Sequence, residues 1–323
     1  MGKVIIETVC YKSWPNCIKV SNGSIELIAT SDVGPRIIYF GYVGGNNMFF
    51  EVEEDSGKTG GNDFRLYGGH RLWHAPQDDR RTCEIDNSQI EWTIQGNTLI
   101  LSQPTDPWTL IEKKMEISMF PDEDKVIVNH RLINKGAWDV GLSAWAITQV
   151  TSGGLEIIPF SNRDTGVNPD RTIALWPWTN MNDPKVTWGK NYILIKQLNI
   201  SNKPREIMLS TDEDRWGCWT NPFKIGLSNY EGWVAYINDN SLFVIRHNHL
   251  PEAVYTDGGS SFETYSCDYL TEMETLSPLV QIKPDCSIEH EETWFLYKNV
   301  EEPIDENAVD NSIIPLIRRT KNA

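Results

Sequence analysis

The amino-acid sequence predicts an all-β protein of antiparallel strands, and three observations carry that prediction. Apolar residues recur with a period of two rather than 3.6. In Lys125 to Ile133, for instance, Val126, Val128, His130 and Leu132 fall on one face and Lys125, Asn129 and Arg131 on the other. Turn signals separate such runs: Asn22-Gly23 and Gly96-Asn97 each stand between two strand-like segments, where a tight hairpin needs positive φ. Amphipathic helical patterns are almost lacking, with one exception near the C-terminus.

In chain order, the first hairpin joins Ile18-Lys19-Val20 to Ile25-Glu26-Leu27-Ile28, and Arg36 to Tyr42 follows. The second joins Ile90 to Ile94 with Leu99 to Leu101. Met115 to Met119, Lys125 to Ile133, Leu155 to Phe160, Tyr192 to Ile195 and Glu206 to Leu209 continue the pattern. The last strands are Trp233 to Ile237, Ser241 to Ile245, Tyr269 to Thr275, Leu279 to Ile282 and Glu291 to Tyr297. So many short strands with turns between them indicate a sandwich or barrel. Near the end, Asp305 is placed to cap a helix with Ala308, Val309 and Ile313 on its apolar side, ended by Pro315 or by Arg318-Arg319. That tail, at about 303–323, should pack outside the sheets. No Gly/Ser tract, Pro-rich stretch or like-charge run divides the 323 residues, so one domain over 1–323 is expected.

With 40% hydrophobic and 23% charged residues, the chain can bury a sizeable core. Asp plus Glu number 45 against 29 Lys plus Arg, a net charge of −16 that repels phosphate backbones and anionic lipid. Nucleic acid and membrane surfaces are therefore not expected partners. No run approaches 18 apolar residues, and Met1 to Ile6 lacks the apolar core and cleavage site of a signal peptide. Cys10, Cys17, Cys83, Cys218, Cys267 and Cys286 are scattered without a CxxC pair, which fits free thiols in a reducing cytoplasm. The expectation is a cytoplasmic monomer or homodimer with no cofactor.

Thirteen tryptophans, among them Trp73, Trp108, Trp138, Trp145, Trp176, Trp178, Trp216 and Trp219, suit a site for sugar rings. Indoles stack on the C–H faces of such rings and keep an N–H for a hydroxyl. Trp176-Pro177-Trp178, in a Pro- and Asn-rich loop, should be exposed. The most specific pattern is Tyr67-Gly68-Gly69-His70-Arg71-Leu72-Trp73-His74-Ala75-Pro76. Two glycines permit a sharp turn; His70 and His74 share a face, with Arg71 and Trp73 opposite if the segment is a strand. The imidazoles could serve as a general acid or as donors to hydroxyls. Arg71 stands where a zinc-binding HExxH motif needs its Glu, and His247-Asn248-His249 has no evident third ligand, so no metal site is expected. In Tyr269 to Leu279, alternation puts Leu270, Glu272 and Glu274 on one face. A carboxylate on an apolar face must be paired or functional, and desolvation would make it a better base near neutral pH.

At these two stretches the sequence resembles the galactose mutarotase-like (aldose 1-epimerase) superfamily. The resemblance runs through the opening hairpin to Gly34-Pro35-Arg36, the Asn46-Asn47-Met48 turn, Gly68-Gly69 and the Met273-Glu274-Thr275 strand. It implies a β-supersandwich with a cleft along one sheet. It also implies Glu274 as the base that takes the anomeric proton and Arg36 on the cleft floor. Tyr67, Arg71, Trp73, Trp145 and Glu272 are the further candidates for the binding surface. The family histidine before Gly-Gly is Tyr67 here, and the mid-chain stretch Leu142 to Thr148 carries none. His70, His74 or Tyr67 is left for the acid. A mutarotase-type isomerase, a non-catalytic carbohydrate-binding protein, and a sugar lyase or hydrolase are the functions compatible with these residues.

Overall fold

Strand-period runs joined by tight turns can satisfy their backbone only by pairing with one another, and they do so in two antiparallel sheets. The computed structural model describes residues 2–78, 80–83, 85–197 and 221–321. Sheet one runs from β1 (Ile5–Tyr11) through β2 (Trp14–Ser21), β3 (Ile25–Thr30), β4 (Arg36–Tyr42), β5 (His70–Ala75) and β10 (Val140–Val150). It continues through β19 (Thr271–Leu276), β18 (Phe262–Ser266) and β15 (Phe223–Leu227) to β12 (Ile173–Leu175), with β20 (Val280–Ile282) paired to the start of β10. Sheet two has the order β13 (Val186–Trp188), β14 (Tyr192–Lys196), β11 (Leu155–Pro159), β16 (Trp233–Asn238) and β17 (Ser241–His247). It then runs through β21 (Ser287–Lys298), β9 (Lys125–Asn134), β8 (Ile111–Met119) and β7 (Thr98–Ser102) to β6 (Glu91–Gln95).

The inner faces of the two sheets meet in a common core. Phe40 and Phe49 on the sheet-one side meet Phe243 and Trp294 of sheet two, with ring centroids 5.4–6.0 Å apart and mostly edge-to-face. The expected hairpins form: β2 with β3 around Asn22-Gly23, and β6 with β7 around Gly96-Asn97. The strand expected at Glu206 to Leu209 lies outside the described residues, as do Trp216, Cys218 and Trp219. Cys10 and Cys17 carry free thiols.

Asp305 accepts a hydrogen bond from the Ala308 N–H and caps the C-terminal helix, as expected. Pro315 does not end it. The helix widens into a π turn at Val309–Ile313 and continues over Ile314–Arg319, so the missing proline N–H falls where the hydrogen-bond ladder is already interrupted. Val309, Ile313 and Ile317 pack against Leu155, Ile157, Leu194, Ala235 and Val244, on the outside of sheet two. Among the described residues, no helix is long and apolar enough to cross a membrane.

Candidate sugar-binding site on the outer face of sheet one

The site starts from a left-handed backbone turn that needs glycine at two of its three positions. Tyr67, Gly68 and Gly69 have successive positive φ values of 55°, 93° and 76°. A Cβ on Gly68 would collide with the Phe50 carbonyl oxygen, and one on Gly69 with that of Ile37. The turn delivers β5 between β4 and β10 and fixes which of its residues face outward. In that register Arg71 lies opposite Ile147 and Trp73 opposite Trp145; Glu274 is opposite Ile147 and Glu272 opposite Gln149. Across the next strands, Glu263 is opposite Glu274, Tyr265 opposite Glu272, and Lys224 opposite Tyr265. Directly opposed residues share a face. Arg71, Trp73, Trp145, Glu272, Glu274, Glu263, Tyr265 and Lys224 therefore all stand on the outer side of sheet one.

There they border a hollow of about 330 Å³ walled by Trp73, Trp145, Trp176 and Trp178, with Arg71, Lys224 and Glu272 as polar groups on its lining. Trp178 is 40% exposed, as expected, whereas Trp176 of the same loop is half-buried. Trp108 and Trp138 lie apart from it on the surface. The Arg71 guanidinium stacks on the Trp73 ring at 3.8 Å and comes within 3.8 Å of Glu272; among the described residues its Nε has no partner. Gln149 donates to Glu272 at 2.5 Å.

Beside the hollow lies a buried charge array. Lys224 Nζ is 2.9 Å from both Glu263 Oε2 and Glu274 Oε2, and 4.8 Å from the ring centroids of Trp145 and Trp176. The Trp145 indole N–H donates to Glu274 Oε2 at 2.8 Å. Burial raises the pKa of Glu263 to about 8, and Lys224 only partly offsets it; burial also raises Glu274. Lys224, against the desolvation that would discharge it, is held protonated by Glu263 and Glu274. One cation between two desolvated carboxylates leaves a proton on the carboxylate pair at neutral pH.

The structure brings together Arg71, Trp73, Trp145 and Glu272 at the hollow, with Glu274 just beneath it, its side chain fully buried. It separates the two histidines from them. His70 and His74 point to the inner face, so the expectation that Glu274 and these imidazoles share one hollow is corrected. Their parity relative to Arg71 and Trp73 was as read; the side turned to sheet two was the opposite one. His74 sits near Lys113 and Arg81, and burial with these cations pushes its pKa down to about 3. Among the described residues, no histidine lines the hollow. Arg36 is not on its floor: it is fully buried, donates to the Leu66 and Gly68 carbonyls at 3.2 and 2.7 Å, and pairs with Asp86 at 2.7 Å. It braces the turn that aims β5. Tyr67 belongs to the same support, packed on Trp14 with its hydroxyl 2.8 Å from the Lys58 carbonyl oxygen. Sequence reasoning missed Lys224 and Glu263. Each is a single charge inside an apolar strand run, Phe223-Lys224-Ile225 and Phe262-Glu263-Thr264, and that is the signal that marks it.

Comparison with solved structures agrees on the fold. A putative mutarotase from Salmonella typhimurium superposes with a TM-score of 0.54 at 11% identity, covering 88% of this chain and 90% of that one. A putative aldose 1-epimerase from Escherichia coli K12 gives 0.51 at 11% identity, covering 92% and 100%. A TPR-domain containing protein from Parabacteroides distasonis gives 0.55 at 11% identity; 90% of this chain is covered but 48% of that longer one. No protein-family model matches the chain. No curated protein matches it either. The chain thus has the galactose mutarotase-like fold.

Proposed function

We propose that the protein binds a single uncharged sugar ring in the tryptophan-walled hollow of sheet one. The observation that carries this reading is the union of four indoles with Arg71, Lys224 and Glu272 around a space of about 330 Å³. Flat indoles suit the C–H faces of a pyranose, and a few fixed polar groups suit its hydroxyls. The charge balance supports an uncharged ligand: with a proton on the Glu263–Glu274 pair, Arg71 and Lys224 are matched by Glu272 and one remaining carboxylate. Structural neighbours include a putative mutarotase and a putative aldose 1-epimerase, in keeping with a sugar ligand. Titration with neutral hexoses and pentoses, followed by tryptophan fluorescence and calorimetry, should give saturable binding that Trp73→Ala weakens at least about tenfold. Uronates and amino sugars should bind more weakly. No saturable binding across the panel would sink this reading.

A second reading, interconversion of anomers, is favoured by Glu274 and its shared proton lying directly below the hollow. Glu274 would take the anomeric proton after a small shift of Lys224, and Glu272 would hold a hydroxyl. A positioned proton transfer is worth about 10²–10⁴-fold in rate. Polarimetry on freshly dissolved α-anomers distinguishes the two: acceleration by wild type and its loss in Glu274→Gln supports catalysis. Binding without acceleration leaves a carbohydrate-binding protein.

A further inference from the structure

The histidine turned away from the hollow joins a second polar cluster deep between the sheets. His70 comes from β5 of sheet one; His130 on β9 and Glu292 on β21 come from sheet two. The donor atoms of these three side chains lie within 4.8 Å of one another, and all three are fully buried. The two imidazoles meet through their Nε2 atoms at 2.7 Å. Their outer nitrogens are anchored: His130 Nδ1 donates to the His290 carbonyl oxygen at 2.8 Å, and His70 Nδ1 is 2.8 Å from Thr148 Oγ1. The Glu292 carboxylate receives the Thr275 hydroxyl at 2.5 Å and the Trp294 indole N–H at 2.8 Å. Among the described residues it has no ion pair.

We propose that His70 Nε2, His130 Nε2 and Glu292 form an interior binding site for a divalent transition-metal ion of the zinc class, clamping sheet one to sheet two. Three features point that way. The first is the ligand chemistry: two imidazole nitrogens and one carboxylate oxygen are a donor set that zinc and its neighbours accept, with a fourth, non-protein ligand completing the shell. The second is the outer anchoring. A metal-bound imidazole usually gives its other N–H to a backbone carbonyl or oxygen acceptor, and both rings already hold such a partner on Nδ1. The third is charge: a buried carboxylate flanked by neutral rings and neutral donors lacks a counter-charge, which a cation would supply. The fit demands a local adjustment. Zinc–nitrogen bonds of about 2.0–2.1 Å set tetrahedral ligand atoms about 3.3 Å apart, so the rings must part by about half an ångström and the Glu292 oxygen must draw in by up to about 1.5 Å. Because His130 carries its proton on Nδ1, the proton that bridges the rings of the metal-free chain is on His70 Nε2; when the ion takes that place, the same proton passes to His70 Nδ1, facing Thr148.

Because the site is closed, the ion is best offered during folding. Full-length protein refolded from denaturant with equimolar zinc sulfate, then desalted, should retain one zinc per chain by elemental analysis. It should melt at higher temperature than protein refolded with chelator. Refolding with cobalt sulfate should give the visible d–d absorption of a nitrogen-ligated tetrahedral Co²⁺, a readout that needs no variant. Glu292→Gln and His130→Gln should lose the retained metal and the cobalt bands. His249→Gln, whose imidazole lies elsewhere against Ser261 and Tyr255, should keep both. Wild type that retains neither metal and melts identically with and without zinc overturns the proposal. So does retention by Glu292→Gln equal to that of wild type.

Discussion

Glu156 shows how much a single buried side chain can set the response of this protein to pH. It stands on β11 of sheet two and reaches across the core, where the Thr264 hydroxyl donates to Oε2 at 2.7 Å; among the described residues Oε1 has no partner. Burial raises its pKa to about 8, Thr264 lowers it slightly, and Glu274 adds to the rise. A carboxyl with a folded pKa above its unfolded value favours the fold while protonated. That contribution is complete below the unfolded value of 4.5 and is lost as pH climbs to about 8. Buried histidines such as His74, His130 and His247, whose pKa values burial lowers, shift stability the other way over the same range in both proteins. The Glu156 contribution is therefore read as a difference: relative to wild type, Glu156→Gln should gain on the order of a few kcal/mol between pH 5 and pH 8, as read from denaturant midpoints at the two pH values. An equal slope in both proteins would contradict the assignment. Gly69 makes a backbone counterpart: with φ at 76° and the Ile37 carbonyl in the way of a Cβ, Gly69→Ala should destabilise by about 2–4 kcal/mol.

At the scale of elements, the charge array links three neighbouring strands through one lysine. Lys224 on β15 holds Glu263 on β18 and Glu274 on β19, so the polar side of the hollow is tied together by a single ammonium. Lys224→Met should cost about 3–5 kcal/mol by stranding two buried carboxylates, whereas Glu263→Gln should cost much less because that pair already holds a proton. Thermal unfolding of both variants near pH 7 tests the ordering, and equal losses would refute it. These strands also mark the limit of what the sequence made legible. Long alternating runs such as Lys125 to Ile133, and hairpins with Asn-Gly turns, announce themselves. The five-residue strands at Phe223 and Phe262 do not, because an interior Lys or Glu breaks the apolar signal that marks a buried strand. Within the site, alternation separated His70 and His74 from Arg71 and Trp73 correctly. Which side faces the partner sheet is decided by contacts from distant strands such as β9 and β21, and no local pattern carries that information.

On the scale of the whole molecule, the two sheets turn their outer faces to different tasks. Sheet two is covered on its outside by the C-terminal helix, with Val309, Ile313 and Ile317 on Leu155, Ala235 and Val244. Sheet one keeps its outer face for the tryptophan-walled hollow. The shared core between them, knit by Phe40, Phe49, Phe243 and Trp294, separates the helix from the hollow by the full thickness of the sandwich. Packing defects under the helix should then reduce global stability without reshaping the hollow, since distant sites with no shared partner act independently. Ile313→Ala removes a fully buried side chain and should cost about 2–4 kcal/mol in a denaturant titration. Its affinity for whichever sugar wild type binds should stay within about twofold of the wild-type value, measured where both proteins are fully folded. Trp145→Phe makes the reciprocal case: it removes the indole N–H from Glu274 and one wall of the hollow, so it should weaken sugar binding much more per unit of lost stability. If Ile313→Ala weakened binding as strongly as Trp145→Phe, the two outer faces would be coupled through the core, and the hollow could not be treated as a site that sheet one builds by itself.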